Sequence, residues 1–151
     1  MTGRVLGPGR YGFADLDLGD RIETAAATVT VADIDRFADL TGDRFALHMS
    51  DEAARDLGFP ARVAHGLLVL SLIDGLKNQA PAGLDAVASL GWEMRFRAPV
   101  LAGDSLRATF TVESMRPARE AARGIAVVAV EVLNQRGEVV QEGRTVLMMQ
   151  G

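Results

Sequence analysis

The sequence predicts an α+β fold in which antiparallel strands pack around one long apolar helix. Three observations carry that prediction. Helix-period patterning dominates the first half of the chain, strict alternation takes over from residue 86, and an almost unbroken apolar run, Leu67 to Leu76, lies between them. At 151 residues the chain has the length of one ordinary domain. A chain of that size buries roughly 68–70% of its unfolded surface, enough for a single core.

The elements follow in order. Residues 1–12 contain Gly3, Gly7, Pro8, Gly9 and Gly12 and are expected to be a flexible lead-in to a domain at 13–151. A first strand is expected over Arg21–Val29. Thr30-Val31-Ala32-Asp33 then resembles a capping box with Asp in place of Glu. The helix it opens places Ile34, Phe37, Ala38 and Thr41 at i, i+3, i+4 and i+7, and Gly42 is suited to end it. Ser50 is suited to cap a short helix through Ala53, Ala54 and Leu57, stopped by Gly58 and Pro60. The central helix is expected from about Ala64 to Gln79, with apolar residues on nearly every side and burial almost all round. Beyond Pro81 and Gly83, Trp92, Met94 and Phe96 alternate with charged residues, as do Leu106, Ala108, Phe110 and Val112 with polar ones. Ile125–Leu133 is a dense β-branched strand. Gln135-Arg136-Gly137-Glu138 makes a turn, and Val139–Met148 closes the sheet.

Composition narrows the function classes. Hydrophobic residues make up 48% of the chain, which argues against disorder. The net charge of −4, with no basic run, argues against nucleic-acid binding, which needs clustered Lys and Arg. The absence of cysteine removes disulfides, thiolate metal sites and cysteine nucleophiles. Two histidines and no H-E-x-x-H spacing give no metal motif. The first ten residues lack the apolar core of a signal peptide. The Gly66–Gly75 run is too short to cross a bilayer, so the expected setting is cytoplasmic, without membrane association.

Chemistry concentrates in one segment. Asp43 and His48 sit five residues apart, in what the pattern predicts to be a loop after the first helix. An Asp/His pair can move protons to and from water near neutral pH. Gly-Asp is also ordinary turn chemistry. The second histidine, His65, precedes Gly66 at the start of the central helix, where a backbone N–H can stabilise a developing oxyanion.

Three motifs in order are similar to those of the MaoC-like, (R)-specific enoyl-CoA hydratase family, whose fold is the hot-dog: a curved antiparallel sheet wrapped around a central helix. They are Leu40-Thr41-Gly42-Asp43-Arg44-Phe45-Ala46-Leu47-His48, Val63-Ala64-His65-Gly66-Leu67-Leu68, and Met94 to Asp104, which includes Ala98-Pro99-Val100-Leu101-Ala102-Gly103-Asp104. The resemblance spans roughly residues 13–149. It implies that Asp43 and His48 are catalytic and together activate one water molecule for addition across the 2,3-double bond of an enoyl thioester. It implies that the Gly66 N–H serves as the oxyanion hole. It further implies an acyl-CoA or acyl-carrier-protein substrate, a homodimer or larger homo-oligomer with the pocket at a subunit interface, and no metal or redox cofactor.

The family's Asn-Pro is Phe45-Ala46 here. That variant, with Arg62-Val63-Ala64-His65-Gly66, resembles the hydratase-like domain that opens the oxepin-CoA ring. A ring-opening hydrolase, or a specialised hydratase of a cyclic or functionalised acyl-CoA, is therefore an alternative, and a non-catalytic thioester-binding subunit is another. Phe45, His65, Leu67, Ser71 and Asp74 are candidates for substrate contact. His65 can instead orient the Gly66 turn by a side-chain hydrogen bond. Ser71 can back-bond to a helix carbonyl. Asp74 can pair with Arg95 or Arg97, which otherwise belong to a solvated or interface strand face. Trp92 and Phe96 are expected in the core.

Overall fold

The computed structural model describes residues 3–119 and 122–151. Its elements run β1 (Gly9–Tyr11), a 3-10 turn (Phe13–Asp15), β2 (Arg21–Glu23), β3 (Ala27–Thr28), α1 (Val31–Thr41), α2 (Ala46–Met49), α3 (Asp51–Asp56) and α4 (Gly66–Gln79). The strands β4 (Ala82–Leu84), β5 (Ala86–Phe96), β6 (Ser105–Pro117), β7 (Arg123–Leu133) and β8 (Val139–Gln150) complete the order. The main sheet is ordered β2-β6-β7-β8-β5 with every neighbouring pair antiparallel, and β3 also pairs with β6.

Alternation gives this sheet one apolar and one charged face. Ala108, Val132, Gln141 and Phe96 stand side by side on β6, β7, β8 and β5, and Phe110, Val130, Gly143 and Met94 form the next rung. The apolar face packs on α4, whose Leu68, Val69 and Ile73 are buried with Leu106, Phe110, Val128, Val130 and Leu147. Each such side chain contributes about 1.5–3 kcal/mol by leaving water. Helix and sheet thus adopt the expected hot-dog arrangement. No helix among the described residues is long and apolar enough to cross a membrane.

Local chemistry explains the termini that were legible. Thr30 and Asp33 form the reciprocal capping box, with bonds of 3.1 and 3.0 Å. Ser50 accepts from the Ala53 amide at 3.0 Å and starts α3. The Asn134 carboxamide accepts from the Arg136 and Glu138 amides at 3.0 and 3.1 Å and shapes the β7–β8 turn.

Four expectations are corrected. The lead-in is tied down over part of its length: Leu6 is buried, and Gly9–Tyr11 pair in parallel with Ala82–Leu84, a contact between distant segments that glycine-rich composition concealed. The first strand is two short ones: the Thr24 hydroxyl takes the Ala108 amide at 3.0 Å, and the pairing with β6 shifts by one residue between Glu23–Thr109 and Ala27–Leu106. The central helix starts at Gly66 rather than Ala64, since the Val63 and Ala64 amides bond the Leu47 and Val100 carbonyls instead. Nor is it buried all round. Leu67 is 60% exposed and Ser71 and Asn78 are exposed with it, because that side of α4 faces away from the sheet.

Candidate functional site

Asp43 enters the site through the end of α1. Gly42 takes the left-handed conformation there (φ 79°) and donates its amide to the Ala38 carbonyl at 2.8 Å, turning the chain back across the helix. Three bonds then hold Asp43. Its amide donates to the Thr41 hydroxyl at 3.2 Å, its Oδ1 accepts the Phe45 amide at 3.3 Å, and its carbonyl accepts His65 Nε2–H at 2.9 Å.

His48 lies on the one-turn helix α2, not in the loop expected after the first helix. Its Nδ1–H donates to the Val63 carbonyl at 2.8 Å. A carbonyl only accepts, so this bond fixes the tautomer and leaves Nε2 with a free lone pair. The ring is 7% exposed and stacks on His65 with centroids 3.9 Å apart. Burial holds the His48 imidazole below the usual histidine range. The bond to Val63 opposes that shift, and the His65 ring reinforces it. His48 is therefore a neutral acceptor at neutral pH. Arg62 steadies it from behind. Its Nε–H donates to the His48 carbonyl, its guanidinium pairs with Asp35 on α1, and its amide donates to Asp51 Oδ1 at 2.9 Å.

Gly66 is the first residue of α4, directly after His65. A Cβ built there would lie 2.1 Å from Phe96 Cε2, so the ring occupies the space a side chain would need. His48, Val63, Gly66, Phe96, Val100 and Gln141 all line a cavity of about 320 Å³. Asp43, His48 and His65 each bring one ligand atom to within 4.8 Å of the others and could hold a metal ion. One nitrogen of each ring is already bonded to a backbone carbonyl.

The residues singled out from sequence fall into two groups. Asp43, His48, His65 and Gly66 come together, His48 and Gly66 lining the cavity and Asp43 and His65 lying behind them, with Phe45 beside His48. Phe45 is 72% exposed, its ring stacked 6.4 Å from that of His48. Leu67, Ser71 and Asp74 are not among the residues that line the cavity. Ser71 Oγ back-bonds to the Leu67 carbonyl at 2.7 Å, and Asp74 pairs with Lys77 at 2.9 Å. Lys77, one turn along the same helix, thus replaces the Arg95 or Arg97 partner expected from sequence: residues three apart on a helix are neighbours, and Arg97 pairs with Glu142. Phe96 is 55% exposed and covers Gly66, a wall of the site rather than a core residue. Sequence reasoning did not single out Gln141 or Arg62 as functional. A weak signal existed for Gln141, a polar residue on the inward register of β8.

Residues 15–134 match the family described as MaoC like domain. The chain is 39% identical over 134 residues to mesaconyl-CoA hydratase of Cereibacter sphaeroides, covering 87% of this chain but only 38% of that protein. It is 29% identical to (R)-specific enoyl-CoA hydratase of Rhodospirillum rubrum, covering 91% of this chain and 90% of that one. The crystal structure of the MaoC-like dehydratase from the same organism superposes with a TM-score of 0.84 at 30% identity, covering 93% of this chain and 97% of that one. The structural expectation and these matches agree: the chain belongs to the MaoC-like domain family.

Proposed function

We propose that this chain catalyses the reversible addition of water across the 2,3-double bond of an enoyl thioester carried by CoA. The observation that carries the proposal is the oriented, neutral His48 beside Asp43, facing the cavity that Gly66 also lines. Asp43 and His48 hold one water. Its oxygen bonds to C3 while the π electrons move through C2 to the thioester oxygen, and the proton taken by the pair returns to C2. Charge grows on the thioester oxygen as the enolate forms. A preorganised N–H at a helix start stabilises that charge, and losing one such donor typically costs about 2.7–4 kcal/mol of barrier. His65 orients Asp43 through the backbone carbonyl it holds.

Phe45 supports a narrower second reading, a cyclic or functionalised acyl group, since an exposed phenyl ring beside His48 favours an apolar ring over a thin chain. A homodimer fits the open edge of β5 and the exposed Leu67, Val87, Leu90 and Phe96. We place the catalytic unit within residues 13–151 and its work in the cytoplasm.

The test is mass-spectrometric detection of water addition to crotonyl-CoA, with Asp43→Asn and His48→Ala as controls. Turnover that vanishes in both variants supports the proposal. Turnover only on cyclic or functionalised thioesters favours the second reading. Folded protein without turnover on any enoyl thioester overturns both.

A further inference from the structure

Among the described residues, Gln141 is the one buried carboxamide on the apolar face of the sheet whose bonding is half complete. It is 2% exposed. Its Nε2–H donates to the Gly66 carbonyl at 2.9 Å, while Oε1 is buried and has no partner among the described residues. Reversing the amide would set its oxygen against the Gly66 oxygen, so the orientation is determined by chemistry. A helix carbonyl at this position already has the amide four residues on to accept. The bond to Gln141 is therefore not needed to satisfy it. A methionine or leucine at this position would leave nothing unpaired. Stability alone does not account for the glutamine.

Position does. In the β5–β8 ladder Gln141 stands directly opposite Phe96. From this single cross-strand pair, the Phe96 ring fills the space beside the Gly66 Cα and the Gln141 amide holds the Gly66 carbonyl. Both residues line the cavity with His48. The start of α4 is thus held by the sheet at the same glycine whose N–H faces the substrate in the reading above, on which this inference rests. We propose that Gln141 is a positioning residue. By holding the Gly66–Leu67 peptide through its carbonyl it fixes the Gly66 Cα, and with it the preceding peptide, so that the Gly66 N–H stays aimed at the thioester oxygen as charge develops there.

The role predicts a kcat effect with little KM effect, because the aim of the N–H matters most once the oxygen is charged. Gln141→Met, close in shape and without polar atoms to pair, should lower kcat on crotonyl-CoA about 10- to 100-fold with KM within about twofold. Gln141→Glu loses the donor while ionised and regains an O–H donor on protonation. Its activity relative to the unsubstituted protein should therefore rise as pH falls. Thr145→Val removes another buried polar bond of β8, that to the Gly91 carbonyl at 3.0 Å, and should lower stability without lowering kcat. An unchanged kcat in Gln141→Met, a pH-independent ratio in Gln141→Glu, or an equal kcat loss in Thr145→Val would each overturn the inference.

A substrate-free readout separates this inference from the hydratase reading. In a ¹H–¹⁵N correlation spectrum the Gly66 and Leu67 amide peaks should shift in Gln141→Met and stay in place in Thr145→Val. If they shift while the unsubstituted protein hydrates no thioester, the hydratase reading fails and the anchoring stands. If they do not shift, the inference fails whatever the turnover.

Discussion

The two faces of the sheet carry polar groups in opposite ways. On the outer face Glu93, Arg95, Arg97, Glu131, Glu142 and Arg144 line a basin of about 570 Å³, larger than the inner cavity of about 320 Å³. Its charges are largely paired with one another: Arg97 meets Glu142 at 2.8 Å, and Arg144 meets Glu93 and Glu113 at 3.5 and 3.4 Å. These side chains remain substantially exposed, so water screens the pairs and each adds little. The inner site has fewer polar groups, but most of them are held by backbone: His48 by Val63, His65 by Asp43, Gln141 by Gly66. Burial there holds the His48 imidazole below the usual histidine range. In the proposed reaction, reactivity comes from desolvation and fixed direction, not from the number of charges or the size of the hollow.

Substitutions can break that contrast. The largest effect is expected from His48→Ala and Asp43→Asn, which should each lower kcat about 10²–10⁴-fold, the ordinary range for a positioned acid-base group. Steady-state hydration of crotonyl-CoA measures it, with circular dichroism to show retained fold. Next comes Gly66→Ala. Its methyl would meet Phe96 Cε2 at 2.1 Å, so ring or helix start must move. A misplacement of about 1 Å costs on the order of 10²-fold, which the same assay would read.

A pH series sharpens the comparison. The folded His48 value lies below that of the unfolded chain, about 6.5, because burial favours the neutral ring. The unfolded chain therefore binds more protons as pH falls, and the His48 contribution to stability, complete above about 6.5, is lost as pH drops through the folded value. Melting temperature should fall more steeply below that pH in the unsubstituted protein than in His48→Gln, and the acid limb of kcat should sit below the ordinary histidine range. The smallest effect is expected on the outer face. Arg144→Ala should cost about 0.2–1 kcal/mol by denaturant unfolding and leave kcat unchanged.

Much of this was open to reading from the chain alone, for definable reasons. Leu106, Ala108, Phe110 and Val112 are buried as their alternation requires. Thr30, Gly42 and Ser50 act within a few residues of themselves, so their caps are local chemistry. Asp43, His48 and Gly66 stood out because motif spacing along the chain carries them. His48 was still misplaced in a loop, since a one-turn helix without a side-chain cap has no sequence period to reveal it. Asp74 was misassigned because the choice among three basic neighbours depends on which face of α4 points where.

By itself the sequence determined the fold class, the order of the main helices and long strands, the inward and outward residues of those strands, and the residue types that could handle a proton. Those follow from periods of two and 3.6 and from short-range capping, which need no partner far along the chain. Tertiary structure alone decided which ring nitrogen of His48 is free, that His65 stacks on it, and that β1 joins β4. It also decided that Phe96 and Gln141 close on Gly66 from one rung of the sheet. Each of these depends on contacts between residues distant in sequence, and their geometry is set when the sheet packs against α4.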